Sequence, residues 1–242
     1  MISIVVPTYN EEKNLERCLK ALINQSIPRD QIEIIVVDGN SHDRTREIAA
    51  ELADVVIIQT SEGIGGARND GFKAAKHEIV ATTDADCEPH ANWVESILKK
   101  FDNDKLVAVT GILKPFDWRE MNWLNILVYR AIFETANMML IVMALFGQYH
   151  LCGANSAFKK KVFLDVGGYM PLAYADDVEI FKRIKNKGIV VLSSEMNINY
   201  SVRRIKKIGL LKYLYLILKM DIEIMLLGRK PLKGDYARME YN

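Results

Sequence analysis

At 242 residues, half of them hydrophobic, the chain can bury one large core or two small ones, and a formal charge of +1 excludes the basic field of a nucleic-acid binder. Three cysteines, Cys18, Cys87 and Cys152, lie far apart, in neither zinc spacing nor a disulfide framework, which points to a reducing, cytoplasmic setting. The opening apolar run, Ile2 to Val6, is too short for a signal peptide, and the longest uncharged stretch, Thr135 to Tyr149, falls short of the roughly 20 residues of a spanning helix.

In chain order, "ISIVVPTYN" reads as a strand closed by a proline turn. Asn10 can cap a following helix that carries Leu15, Leu19, Leu22 and Ile23 at helical spacing. "IEIIVVDG" is a β-branched run of the kind buried on both faces of a parallel sheet. Ser41 can cap the next helix, which carries Ile48, Ala49 and Leu52. "DVVIIQ" gives a third strand, "GGARNDGFKAAK" a helix opened by glycines, and "EIVATTD" a fourth strand. A helix over Asn92–Phe101 and a strand over Leu106–Thr110 continue the alternation. This order predicts a doubly wound, mostly parallel α/β sheet with right-handed crossovers, whose ligands bind at the carboxyl ends of the strands.

After Lys114 the alternation stops. Trp118 to Phe146 reads as one apolar helix, "CGANSAF" as a short strand or loop, and "KKVFLDVGGY" as a brief helix ended by glycines. Asp176 to Lys187 is an amphipathic helix with Val178, Phe181 and Ile184 on its apolar side. Two short strands, near Ile189–Leu192 and Ile198–Tyr200, precede a final helix over about Ile205–Leu227.

Polar clusters fall at the predicted strand ends: "PTYNEE", "DGNSHDRT" and "TTDADCEP". Strand side chains alternate faces, so Asp84 and Asp86, with Ala85 between them, project together. Such a pair repels unless a cation or proton sits between, and oxygen ligands suit a hard divalent ion; a solvated turn gives the same spelling. Gly63, Gly65 and Gly66 lead into a helix start, where backbone N–H groups and Arg68 can take a phosphate. A tight turn with a solvated Arg68 is the lesser alternative, and a dinucleotide fingerprint fits poorly, because Arg68 stands where the third glycine belongs. His42, His77, His90 and His150 have no ligand spacing, and the cysteines read as packing residues.

Six segments in order resemble glycosyltransferase family 2, whose members share the A-type nucleotide-sugar-binding fold. They are "VVPTYNEEKNLERCLKAL", "IIVVDGNSHDRT", "GGARNDG", "TTDADCEP", "CGANSAFKKKVFLDVGGY" and "YADDVEIFKRIKNKG". The resemblance implies that Pro7, Thr8, Tyr9, Glu11 and Asp38 hold the base and ribose of a nucleotide-sugar donor, with Arg68 near its phosphates. It implies that Asp84 and Asp86 hold the Mg²⁺ or Mn²⁺ that bridges the diphosphate, with Ala85 beside the donor. Gly153, Ala154 and Asn155 match the loop that shapes the sugar and acceptor pocket. The family's Glu-Asp pair is here Asp176 and Asp177, with Asp177 matching the base and the shorter Asp176 a departure on the acceptor side. Without the resemblance, acids in that first turn equally serve the helix dipole. The implied organisation is a single domain over 1–242: a donor half over 1–114, an acceptor half over 115–204 with a helical insertion at 118–146, and a C-terminal amphipathic helix and tail over 205–242.

The implied activity is inverting, metal-dependent transfer of one sugar to an acceptor hydroxyl, plausibly on a lipid-linked saccharide. The processive members' Gln-x-x-Arg-Trp motif is missing from the sequence. Transfer to a polyprenyl phosphate, or a catalytically silent nucleotide-sugar-binding subunit, are the alternatives. Leu124–Phe146 is apolar nearly all round, and Arg203, Arg204, Lys206 and Lys207 precede a second apolar stretch. Both suit the cytoplasmic face of a membrane, the favoured reading, with mutual packing or a homodimer interface as the alternative.

Overall fold

Strand β1 (Ile2–Thr8) and its neighbour β2 (Ile32–Asp38) are buried along their whole length, their apolar runs interrupted by Ser3 and Glu33, which satisfy each other through a 2.5 Å hydrogen bond from the Ser3 hydroxyl. Alternate residues serve opposite cores. Ile2, Ile4, Val6, Ile32, Ile34 and Val36 face one, and Val5, Ile35 and Val37 face the other. The computed structural model describes residues 1–116, 121–170, 176–209, 212 and 215, with the backbone alone at 176, 177, 204 and 208. The proposed start of the long helix at Trp118 and the C-terminal helix beyond 209 lie outside these residues, apart from isolated positions.

One mixed sheet of eight strands carries the fold. The remaining strands are β3 (Val55–Ile58), β4 (Ile79–Thr82), β5 (Cys87–Pro89), β6 (Leu106–Phe116), β7 (Ser156–Lys159) and β8 (Ile189–Ser201), in spatial order β3-β2-β1-β4-β7-β6-β8-β5. Pairings among β1 to β4 are parallel, and β7 enters antiparallel between β4 and β6. Helices α1 (Leu15–Ile23), α2 (Thr45–Leu52) and α4 (Trp93–Phe101) contribute to one core, around Leu15, Leu19, Trp93 and Ile97. Helices α3 (Gly63–Ala74), α6 (Lys160–Asp165) and α7 (Asp176–Ile184) contribute to the other, where Phe72 stacks on Phe163 at 4.0 Å between ring centres. Helices therefore cover both faces, as the alternation predicts.

Helix α5 (Trp123–Leu145) is different. Of its residues only Tyr129 and Asn137 are buried, and Trp123 and Leu145 are 76% and 79% exposed. It is the one helix among the described residues with the length and composition to cross a membrane. The uncharged stretch from Thr135 understated it, because Arg130 and Glu134 interrupt an otherwise apolar sequence. The helix is moored at two points: Asn137 Nδ2 donates to Leu113 O at 2.9 Å, and Tyr129 packs on Val202 and Ile205 of the segment entering α8 (Arg203–Ile208).

Neither proposed cap holds. Asn10 takes a left-handed φ of 53°, and Ser41 bonds Asp38; α1 and α2 start later, at Leu15 and Thr45. The two strands expected in 189–200 are one continuous strand, β8. A register shift opposite Gly111 and Ile112 absorbs Ser194, Glu195 and Met196 without ending the pairing with β6.

Candidate functional site

Because β1, β2 and β4 run parallel, their carboxyl ends share one edge, where Thr8 lies opposite Asp38 in register. The loops leaving β1 and β2 are stitched together. Asn10 N donates to Ser41 Oγ at 2.9 Å, Glu11 N to Thr45 Oγ1 at 2.7 Å, and His42 N to Asn10 Oδ1 at 2.9 Å. Asp38 is fully buried and accepts from the Ser41 hydroxyl at 2.5 Å and the Ser41 N–H at 3.0 Å. It therefore sets the shape of this loop pair. Pro7 closes β1 from inside the sheet, and Tyr9 follows at the loop, half-buried.

Asp84 and Asp86 come together for a reason other than strand alternation. Strand β4 ends at Thr82, and the pair occupies a turn in which Cys87 N donates to Asp84 O at 3.0 Å. Each carboxylate has its own arginine. Arg68 Nη2 donates to Asp84 Oδ1 at 2.6 Å, and Arg203 Nε donates to Asp86 Oδ2 at 2.9 Å while its Nη2 pairs with Glu11. Ala85, between them, is 3% exposed. Burial raises the Asp86 carboxyl to about 6; Arg203 opposes the rise, and the carboxylates of Asp84 and Glu11 add to it.

Arg68 is in the second turn of α3 and only 4% exposed, which removes both the solvated reading and the fork at the helix start. Its surroundings explain Gly153. A Cβ there would stand 2.3 Å from Arg68 Cζ, so only glycine lets the loop before β7 close over the guanidinium. Ala154 is 4% exposed in the same loop. Asn155 shapes it from inside: its side chain accepts from Trp93 Nε1 at 2.8 Å and donates to Ile112 O and Met196 O, both at 2.9 Å. Asp176 and Asp177 open α7, and their side chains lie outside the described residues. Tyr169 is anchored on α3, exchanging two 2.8 Å hydrogen bonds with Asn69.

Two features escaped the sequence. Arg203, grouped there with a membrane-facing basic cluster, faces the carboxylates; Lys206 and Lys207 alone among the described side chains of that cluster stay exposed. Thr83, in the link between β4 and the Asp84 turn, is fully buried with its Oγ1 unpartnered, as are Thr82 Oγ1 and Thr8 Oγ1 at the adjoining strand ends. Buried hydroxyls without partners at one edge fit a polar ligand. Among the described residues no group of three or more His, Cys, Asp or Glu is arranged to hold a metal. Two oxygen-only carboxylates nevertheless fit Mg²⁺ or Mn²⁺, which take a diphosphate and water as their remaining ligands.

Asp70 supports the site from behind. Its carboxylate accepts from Thr60 N at 2.7 Å, Ser61 N at 2.8 Å and the Ser61 hydroxyl at 2.7 Å. Burial alone would raise its pKa, but these bonds prevail and hold it below the ordinary value. A depressed carboxylate stabilises the fold above its unfolded pKa of about 3.9 and loses that contribution as pH falls through the folded value. Asp70→Asn should therefore cost about 1–3 kcal/mol at pH 7, and the gap from wild type should close below about pH 4 in chemical denaturation. A gap independent of pH would show that the charge contributes nothing.

The glycosyl transferase family 2 model matches residues 3–167. The probable glycosyltransferase YdaM of Bacillus subtilis is 30% identical over 203 residues, 77% of this chain and 47% of that protein. The glucosyl-dolichyl phosphate glucuronosyltransferase of Haloferax volcanii is 29% identical over 189 residues, 69% of this chain and 55% of that one. Among solved structures, the mannosyltransferase PcManGT from Pyrobaculum calidifontis, in complex with GDP-Man and Mn²⁺, superimposes with a TM-score of 0.66 at 24% identity. That match covers 83% of this chain and 56% of the other. The chain thus spans about half the length of these relatives, and it shares the fold of the matching part of that mannosyltransferase.

Proposed function

Since this chain belongs to glycosyl transferase family 2, we propose that it transfers one sugar from a nucleoside-diphosphate donor to a hydroxyl of a lipid-linked saccharide, with inversion at the anomeric carbon. The observation that carries this reading is the Asp84–Asp86 turn at the end of β4, each carboxylate in contact with an arginine, beside the edge of β1 and β2. The nucleotide lies against the Thr8–Glu11 loop, which buried Asp38 shapes from beneath through Ser41, and the diphosphate beside Asp84 and Arg68. A divalent cation at Asp84 and Asp86 would stabilise the charge that develops on the leaving diphosphate. Arg68, buried and braced by the Gly153 loop, offers that same charge a fixed donor. Asp177, at the start of α7, takes the acceptor proton as the new bond forms on the opposite face of the sugar. Asp176 and the Gly153–Asn155 loop shape the acceptor side.

The exposed apolar face of α5, next to Lys206 and Lys207 of α8, supports an acceptor presented at a membrane surface. The name of the Haloferax relative, which specifies a glucosyl-dolichyl phosphate, supports the same acceptor class. The same surface favours a second reading, in which the acceptor is the polyprenyl phosphate itself.

One assay separates these readings. The protein is incubated with UDP- or GDP-sugars, Mn²⁺ and anionic vesicles carrying either a polyprenyl-linked saccharide or a polyprenyl phosphate, and vesicle binding and nucleoside diphosphate release are followed. Co-flotation with release driven by the saccharide is expected. Release driven by polyprenyl phosphate alone would transfer the function to the second reading. Donor binding without release on any acceptor would leave a silent binding subunit, and protein that ignores the vesicles would make the α5 face a contact between copies.

A further inference from the structure

The guanidinium of Arg203 joins two carboxylates from distant parts of the chain. Its Nε donates to Asp86 and its Nη2 pairs with Glu11, and the three side chains are only 18%, 15% and 11% exposed. The partners are 117 and 192 residues away in sequence, so the tertiary fold alone creates the contact.

The two arginines of the site are held differently. Arg68 lies within α3, beneath the Gly153 loop and 5.7 Å from the Tyr169 ring centre. Arg203 is the first residue of the six-residue helix α8, whose Ile205 packs on Tyr129 of α5. A divalent cation on Asp86 would meet the positive charge of Arg203 on the same carboxylate. In a site this withdrawn from water, such like charges repel strongly.

We propose that Arg203 is a positioning residue of the donor site, a resident counter-cation that holds Asp86 and Glu11 and gives up Asp86 when a divalent cation binds there. The inference rests on the assignment of Asp84 and Asp86 as the cation's ligands. Arg203 then weakens cation binding in the absence of donor. A guanidinium released from Asp86 is a planar fork suited to phosphate oxygens, so the donor's diphosphate offers it a new partner. Cation and donor therefore bind cooperatively, each strengthening the other by the same factor.

The test measures Mn²⁺ binding by calorimetry in wild type, Arg203→Gln, Arg203→Lys and Asp86→Ala, alone and with UDP or GDP. Wild type should bind Mn²⁺ weakly alone and more tightly with nucleotide. Arg203→Gln should bind Mn²⁺ alone at least tenfold more tightly and lose that factor from the cooperativity, keeping the part due to direct ligation of the diphosphate, whereas Arg203→Lys should stay near wild type. A strut that merely braced the loop would not tighten metal binding on removal. Mn²⁺ binding that wild type shows and Asp86→Ala loses, with Arg203→Gln no tighter than wild type, would overturn the role of Arg203 and leave the cation site standing. No Mn²⁺ binding in any variant would overturn both. Should Arg203→Gln fail to fold, hydrogen exchange in wild type decides. The Lys206 and Gly209 amides, bonded to Val202 O and Ile205 O, should exchange faster when Mn²⁺ is added, and unchanged or slower exchange would overturn the proposal.

Discussion

Asp86→Ala is expected to reduce sugar transfer to background and to abolish the effect of Mn²⁺ on donor binding. The variant removes one of the two carboxylates assigned to the cation, and the cation's stabilisation of the leaving diphosphate is worth several kcal/mol, or at least about 10³-fold in rate. The fold should survive. Arg203 keeps its ion pair with Glu11, so no buried charge is stranded, and loss of Asp86 removes a carboxyl that burial already disfavours in its charged form. A thermal transition near that of wild type, with transfer lost, is the expected pair of results. Substantial transfer by this variant, or wild-type transfer indifferent to EDTA, would exclude the cation.

Asp177→Asn is expected to leave donor binding nearly unchanged and to lower transfer about 10²-fold or more, the range typical when a general base is removed. The amide keeps the size and hydrogen bonding of the carboxylate but cannot accept a proton at neutral pH. Its position at the start of α7 makes the competing explanation testable, because a residue serving only the helix dipole is worth about 0.3–1 kcal/mol of stability and nothing in rate. Donor titration and single-turnover transfer on the same preparation separate the two. Collapse of donor binding would make Asp177 a binding residue. Intact transfer would favour an acceptor that is already an anion.

The sheet of the first hundred residues was legible because "ISIVV" and "IEIIVV" are short, rich in β-branched residues and bounded by turn residues, the marks of strands buried on both faces. Strand β5 was not. Its three residues, Cys87–Pro89, carry no periodicity and exist by pairing with β8 more than a hundred positions later. The break expected within 189–200 was a misreading of polar residues at a register shift, where tertiary pairing overrides local propensity. At the site, Asp38, Arg68 and the Asp84–Asp86 pair could be picked out because strand ends and glycine turns mark them locally. The arginines' actual partners could not. Arg203 sits in a run of basic residues that reads as a membrane-facing patch, and only the return of β8 to the sheet edge turns it onto Asp86. Asn10 misled in the same way: an N-cap residue type by spelling, it is used for a left-handed turn that brings the β1 and β2 loops into contact.

On the proposed function, the edge formed by β1, β2 and β4 binds a nucleoside diphosphate through a divalent cation on Asp84 and Asp86. The decisive measurement is isothermal titration of wild-type protein with UDP and with GDP, once in Mn²⁺ and once in EDTA. One of the two nucleotides should bind at least tenfold more tightly in Mn²⁺. Equal affinity in Mn²⁺ and EDTA, or no binding of either nucleotide, would contradict it.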